Sequence, residues 1–308
     1  MPVHFDAYVM VDWSAASTPK RGADSIWWTL ASWTPRGLHV ETPENPPTRF
    51  EAMRALHERL ARALDRGLRV LVGFDFAFGY PAGTAKALGL PGEPWRAIWE
   101  EWSHLAQDAP TNANNRFEVA SALNARISGG VGPFWGHPHG RTYPHLTARK
   151  SFSYPVKGLV EKTLTHERTP RAQPVWKLCG VGSVGSQTLL GIPHLHRMLE
   201  EPHFKGRIHI WPFQTGFTLP PRPSKGQLLL VEIYPSLVTV HPKEGEVKDR
   251  LQVEALARHF AERDTRGTLI ELFEPPSDLS FAQREAAMRE EGWILGTPNS
   301  KPSRVPPG

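Results

Sequence analysis

The sequence predicts an α/β protein: a mixed sheet with flanking helices and a large inserted segment. Three observations carry this expectation. Three apolar, β-branched segments joined by short turns open the chain, followed by a helical stretch and a fourth strand. A long Pro-, Gly-, His- and Trp-rich stretch then breaks the pattern. An apolar strand and a helix resume it near the C-terminal end. At 308 residues and 40% apolar side chains, the chain has enough material for one large domain, or a core with an insertion.

Residues 7–12 (AYVMVD) read as a buried strand. Residues 25–33 (SIWWTLASW), aromatic and β-branched, read as a second, and residues 37–41 (GLHVE) as a short third. Thr48 is placed to cap a helix reaching Asp65, with Phe50, Met53, Leu56, Leu60 and Leu64 at near-helical spacing and Gly67 beyond its end. Residues 69–74 (RVLVGF) form a fourth strand, closed by Asp75. Short turns imply an antiparallel meander, and the helix lets the fourth strand run parallel to the first. Ribonuclease-H-like domains begin in this order.

Residues 84–226 hold short helical pieces at 94–107 and 116–126, and their length argues for an inserted subdomain rather than a loop. Residues 228–233 (LLLVEI) resume as a strand, 249–263 as a helix, 269–273 as a late strand and 280–290 as a last helix. The expected organisation is a first core part over 1–83, an aromatic and basic insertion over 84–226, a second core part over 227–296, and a disordered tail over 297–308.

Composition narrows the setting. A single cysteine, Cys179, allows no intrachain disulfide and fits a reducing compartment. Residues 1–6 lack a basic stretch followed by an apolar run, so no signal peptide is expected. No apolar run reaches the length of a membrane span. A cytoplasmic protein is therefore expected. The net charge of +5 is compatible with nucleic acid or a nucleotide as partner, though the cations are dispersed. The 11 tryptophans serve a core first and flat ligands second.

The candidate chemistry lies in acids on strands. Asp12 follows YVMV, Asp75 follows VLVGF, and Glu232 sits within LLLVEIYP. A carboxylate ending a buried strand is costly unless paired or bound to metal. Clustered carboxylates repel, and a divalent cation relieves the repulsion. Their hard oxygens suit Mg²⁺ or Mn²⁺. Asp12, Asp75 and Glu232 are thus candidate metal ligands and catalytic residues. The plainer alternative is that each acid bonds nearby backbone. Asp249, opening the helix after the last core strand, is a candidate fourth catalytic acid and equally a helix cap.

The stretches VDWSAAS, GFDFAFGYP, NRFEVASALNARI with GPFWG, KLCGVGSVGSQTLLGIP, IWPFQT, VEIYPS, KDRLQV and EEGWILG resemble the domain of unknown function 429 family. The likeness spans about residues 7 to 296. It implies a ribonuclease-H-like fold and a predicted nuclease activity, with Asp12, Asp75 and Glu232 at the metal site. The region before Glu291 lacks the Asp-Ala pair that many members of the wider superfamily carry on the last helix, which leaves a fourth ligand open.

Gly180, Gly182 and Gly185 form a G-x-G-x-x-G, with Ser183 and Ser186 between and after them. Such a loop before a helix can cradle a phosphate. A dinucleotide fold is excluded, because residues 192–200 are helical in pattern where a second strand is required. A tight turn against the core is the alternative. Around it, Asn115, Arg116, Asn124, Arg126, Arg141, Arg149, Lys150 and Lys177 alternate with Phe134, Trp135 and Trp176, a mix able to grip phosphates and bases. The pairs His137/His139 and His194/His196 lack zinc spacing. Cys179 has no evident base partner.

The leading expectation is a metal-dependent phosphodiester hydrolase. A second is an ATP-binding phosphotransferase of the actin-like group, for which Asp12 to Ser17 would touch phosphate, although only one core repeat is visible. A third is a non-catalytic binding or accessory protein on the same fold.

Overall fold

The computed structural model describes residues 3–217 and 223–297. The expected disordered tail lies outside these residues, Thr297 apart. Among the described residues six strands form one mixed sheet: β1 (Ala7–Asp12), β2 (Trp27–Thr34), β3 (Gly37–Val40), β4 (Val70–Phe74), β5 (Ile208–Ile210) and β6 (Leu228–Glu232), in the order β3-β2-β1-β4-β6-β5. β1, β2 and β3 pair antiparallel, whereas β1, β4, β6 and β5 run parallel. The meander followed by a helical crossover, α1 (Arg49–Asp65), is the topology the sequence predicts. Thr48 caps α1 by accepting from the Glu51 N–H.

Alternation along the strands builds two cores. Ala7, Val9, Val11, Val70, Val72, Phe74, Leu228 and Leu230 face α1 and the helices of residues 84–226. Those helices are α2 (Thr84–Ala87), α3 (Pro94–Leu105), α4 (Arg116–Ser128), α5 (Leu164–Arg168) and α6 (Gly185–Glu200). Tyr8, Met10, Leu71, Leu229 and Val231 face the opposite way, onto α7 (Lys248–Thr265) and its Val253, Leu256 and Phe260. Because both faces are covered, β4 and β6 are continuous apolar runs.

The stretch 84–226 shares its core with the sheet: Trp99, Trp102, Trp176 and Leu189 belong to the cluster that holds Val9 and Val72. β5 adds an edge strand that the sequence pattern did not predict, three residues being too few for a period. The expected strand over 269–273 is instead a 3₁₀ turn, Ile270–Phe273. The Leu269 N–H donates to the Arg263 carbonyl, which folds the segment back on the end of α7. The last predicted helix begins as α8 (Phe281–Ala286), with a Ser280/Gln283 capping box, and continues as a π-helical turn over Ala287–Glu291.

That turn locks the insertion to the core. Glu290 accepts from the N–H groups of Gly83 and Ala85, and Glu291 from those of Ala82 and Leu164. Gly79 passes so close that a β-carbon there would lie 2.1 Å from the Glu290 carbonyl oxygen. Among the described residues no helix is long and apolar enough to cross a membrane.

Candidate active site

β1, β4 and β6 are consecutive in the sheet and end together, so their final residues crowd one edge. Asp12 ends β1, Asp75 follows β4, and Glu232 ends β6 beside Phe74. All three line a cavity of about 710 Å³, together with Asp249 and the glycine loop.

Strand parity sorts the acids. Asp12 pairs with Trp27, which faces α7, and follows Val11, which faces the other way. Its side chain therefore leaves on the α7 side. There it is hydrogen-bonded to Asp75, whose Oδ1 accepts the Trp13 N–H at 2.7 Å. Burial pushes the Asp12 carboxyl well above the usual carboxylate range, and repulsion from Asp75 and then Asp249 pushes it further. Burial lifts Asp75 to about 7, against the opposing pull of the Trp13 N–H and of Asp12. Both carboxyl groups are thus raised, burial being the larger cause in each.

Asp249 lies in the first turn of α7 and its Oδ2 accepts the Asp24 N–H at 2.8 Å. Burial raises its carboxyl as well. It does not cap α7, whose N-cap position is Val247.

Glu232 stands one position out of phase. It aligns with Phe74 and follows Val231, so its side chain leaves on the face opposite to Asp12. Its Oε2 accepts the Phe78 N–H at 3.3 Å, and its Oε1 lies 3.3 Å from His166 Nε2. Both side chains are buried, and both line the cavity. Among the described residues, His166 Nδ1 has no hydrogen-bond partner. His166 was not singled out by the sequence: a histidine in a short helix carries no pattern that ties it to an acid 66 positions away.

The glycine loop and the start of α6 line the same cavity. Gly180 and Gly182 have φ of +97° and +68°, the left-handed region that favours glycine. Gly185 is required for a different reason: a β-carbon would lie 2.3 Å from the Val175 carbonyl oxygen. Ser186 is engaged, donating to the Leu178 carbonyl and accepting from Arg116 Nε at 2.9 Å. The backbone N–H of Ser183 closes a turn on the Gly180 carbonyl. The Gln187 amide donates to the Trp13 carbonyl, so α6 is tied directly to the residue after Asp12.

A buried ionic knot fixes the loop after β1. Arg49 makes a bidentate pair with Asp108, at 2.6 and 2.7 Å, and donates to the carbonyls of Ser14, Ala16 and Asn112. His194 Nε2 adds a contact to Asp108 at 2.9 Å. These bonds bring Asp108 down to about 2 despite its burial.

Among the described residues, no three His, Cys, Asp or Glu side chains stand grouped as a finished metal cage. The donor types do suit a hard divalent cation: two carboxyl groups in contact and a third near enough to repel them, all three raised first by burial. Asp12 and Asp75 come together, Asp249 stands close by, and Glu232 reaches the cavity from the neighbouring face. In comparisons with known proteins, no family model, no curated protein and no solved structure matches this chain.

Proposed function

We propose that the protein is a divalent-metal-dependent phosphodiester hydrolase, acting on nucleic acid or a nucleotide, on a ribonuclease-H-like sheet. The observation that carries this reading is the Asp12–Asp75 pair: two hydrogen-bonded carboxyl groups with raised pKa at the ends of adjacent parallel strands, inside a cavity. Raised carboxyl groups concentrate at functional sites because a purely structural acid is better served by a cationic partner. The strand order and the mixed parallel pattern support the ribonuclease-H-like assignment, as does the resemblance of the sequence to the domain of unknown function 429 family.

Asp12 and Asp75 would hold Mg²⁺ or Mn²⁺, with Asp249 the nearest further carboxylate. A bound ion of this kind polarises a phosphoryl oxygen and lowers the pKa of water. The protein's own contributions are separate. Asp12 and Asp75 would supply the carboxylate oxygens once deprotonated, the Trp13 N–H keeps Asp75 oriented, and the Arg49–Asp108 pair holds the loop beside them. Glu232, expected from the sequence as a third ligand, faces the same cavity with its carboxylate turned to His166. A cavity of about 710 Å³ suits a nucleotide-sized group. The single cysteine and Mg²⁺-type chemistry suit a cytoplasmic setting.

One observation favours a second reading, an ATP-dependent phosphotransferase: Ser14 and Ala15 line the cavity together with Gly180, Gly182 and Ser183, offering two phosphate contacts. The test is calorimetric titration of Mn²⁺ into wild type and Asp12→Asn, with hydrolysis of bis(4-nitrophenyl) phosphate and of a short single-stranded oligonucleotide followed in Mn²⁺ and in chelator. Saturable heat in wild type alone, with chelator-sensitive cleavage, is expected. Equal heats in both proteins would sink the metal site, and ADP formation from added ATP, without cleavage of either phosphodiester, would favour the phosphotransferase.

A further inference from the structure

The cavity has a basic end as well as an acidic one. Arg116 is partly buried and lines it. Its Nε donates to Ser186 Oγ at 2.9 Å, and its Nη1 donates to Ser17 Oγ at 3.0 Å and Asn114 Oδ1 at 2.8 Å. The guanidinium also lies 4.3 Å from the Phe117 ring centre. Every one of these partners is neutral. After burial, the strongest influence on it is the cation Arg49; Cys179 and Tyr143 act in the opposite direction, and no carboxylate stands among the groups that act on it most. A guanidinium withdrawn from water without a counter-charge is unfavourable. In this protein burial pulls its pKa down to about 10. Other buried arginines of the chain are treated differently: Arg49 is paired with Asp108 and Arg168 with Asp278.

Ser186, the Nε partner, is the second residue of α6. In that helix's first turn the Gly185 N–H donates to the Lys177 carbonyl, whereas those of Ser186 and Gln187 have no intrahelical acceptor and no side-chain cap, and the dipole is positive at the same spot. Ser183, Val184 and Gln187 at this helix start line the cavity with Arg116. Gly185 lets the helix abut the Val175 and Lys177 carbonyls, which holds its first turn where it is. Two sources of positive potential thus converge, and neither has an anion among the described residues.

We propose that Arg116 and the first turn of α6 form an anion subsite that takes a phosphate group of the substrate, in the cavity that Asp12 and Asp75 also line. The inference rests on the reading of the cavity as a phosphoester site and names what that site recognises. Arg116 is a binding residue that supplies the charge. The three neutral acceptors hold the guanidinium plane, leaving its charge for the ligand. A cation at the acidic end and a phosphate at the basic end would make the two subsites bind cooperatively, since each cancels the charge that repels or lacks its partner.

The experiment is binding of inorganic phosphate and of pyrophosphate to the full chain in chelator, by calorimetry at constant ionic strength. Wild type should bind saturably, Arg116→Gln should weaken binding at least tenfold, and Arg116→Lys should fall between them by keeping the charge without the fork. Thermal melts of all three in phosphate-free buffer report folding. If Arg116→Gln does not fold, the Arg116→Lys affinity and the phosphate-induced rise in wild-type Tm carry the test. Failure of wild type to bind either anion at millimolar concentration overturns the subsite, as does unchanged affinity in Arg116→Gln. Because no metal is present, Arg116-dependent phosphate binding in a protein that never binds Mn²⁺ would uphold the subsite and refute the hydrolase.

Discussion

Replacing Asp75 by asparagine should stabilise the metal-free protein at neutral pH, a result opposite to that of most buried substitutions. The Asp75 carboxyl is lifted to about 7, against about 3.9 for an unfolded chain. A raised carboxyl pKa means the folded state binds the proton more tightly than the unfolded one. Stability is therefore undiminished below about pH 4, falls as pH rises, and is fully reduced above about pH 7. The difference in pKa corresponds to an upper limit of about 4 kcal/mol. Asparagine retains an oxygen for the Trp13 N–H, so the 2.7 Å bond that orients the position can persist. Urea unfolding in chelator at about pH 3.5 and about pH 8 measures the effect. The variant should match wild type at the lower pH and exceed it at the higher by a few kcal/mol. Mn²⁺ should then narrow the gap, raising wild type by about 2.7 kcal/mol at one hundred times Kd and leaving the variant unmoved. A variant less stable than wild type at both pH values would refute the reasoning, because Asp75 would then be a structural acceptor.

Two further substitutions probe the frame around the pair. Asp108→Asn leaves Arg49, which is 1% exposed, without its counter-charge and should cost about 3–5 kcal/mol by urea unfolding at pH 7. Asp108 is held at about 2, so its contribution is present above the ordinary carboxylate range and is lost only as pH falls towards 2; the loss in the variant should shrink at acid pH. Gly185→Ala drives a β-carbon against the Val175 and Lys177 carbonyls and should cost about 1–3 kcal/mol. It should also weaken phosphate binding, whereas Gly130→Ala, in open space, should leave both melting temperature and phosphate affinity unchanged.

Much of the sheet was legible from alternation and turns. β1, β4 and β6 are unbroken apolar runs because both faces are covered, and their closing acids stand out against that background. The glycine loop was equally visible, and Gly180 and Gly182 do occupy left-handed backbone on the cavity wall. What the pattern could not convey was which acids would meet. Asp12 and Asp75 share a face while Glu232 is out of phase, a one-residue difference that depends on the pairing register of strands 158 positions apart. The late strand over 269–273 failed for a related reason: its apolar residues suit a strand, but the α7 end offered its N–H groups nearer partners.

The local polypeptide chemistry by itself therefore determined the α/β class, the meander and crossover, the α1 cap, and the presence of acids at strand ends. Tertiary structure alone decided the functional geometry. It set Asp249 against the Asp12–Asp75 pair, gave Glu232 to His166, bound Arg49 to Asp108, and left Arg116 among neutral partners at the head of α6. The physical reason is range. Period, capping and turn chemistry act over a few residues and are written in the order of the chain, whereas charge pairing and burial depend on distances through space that only the completed packing defines.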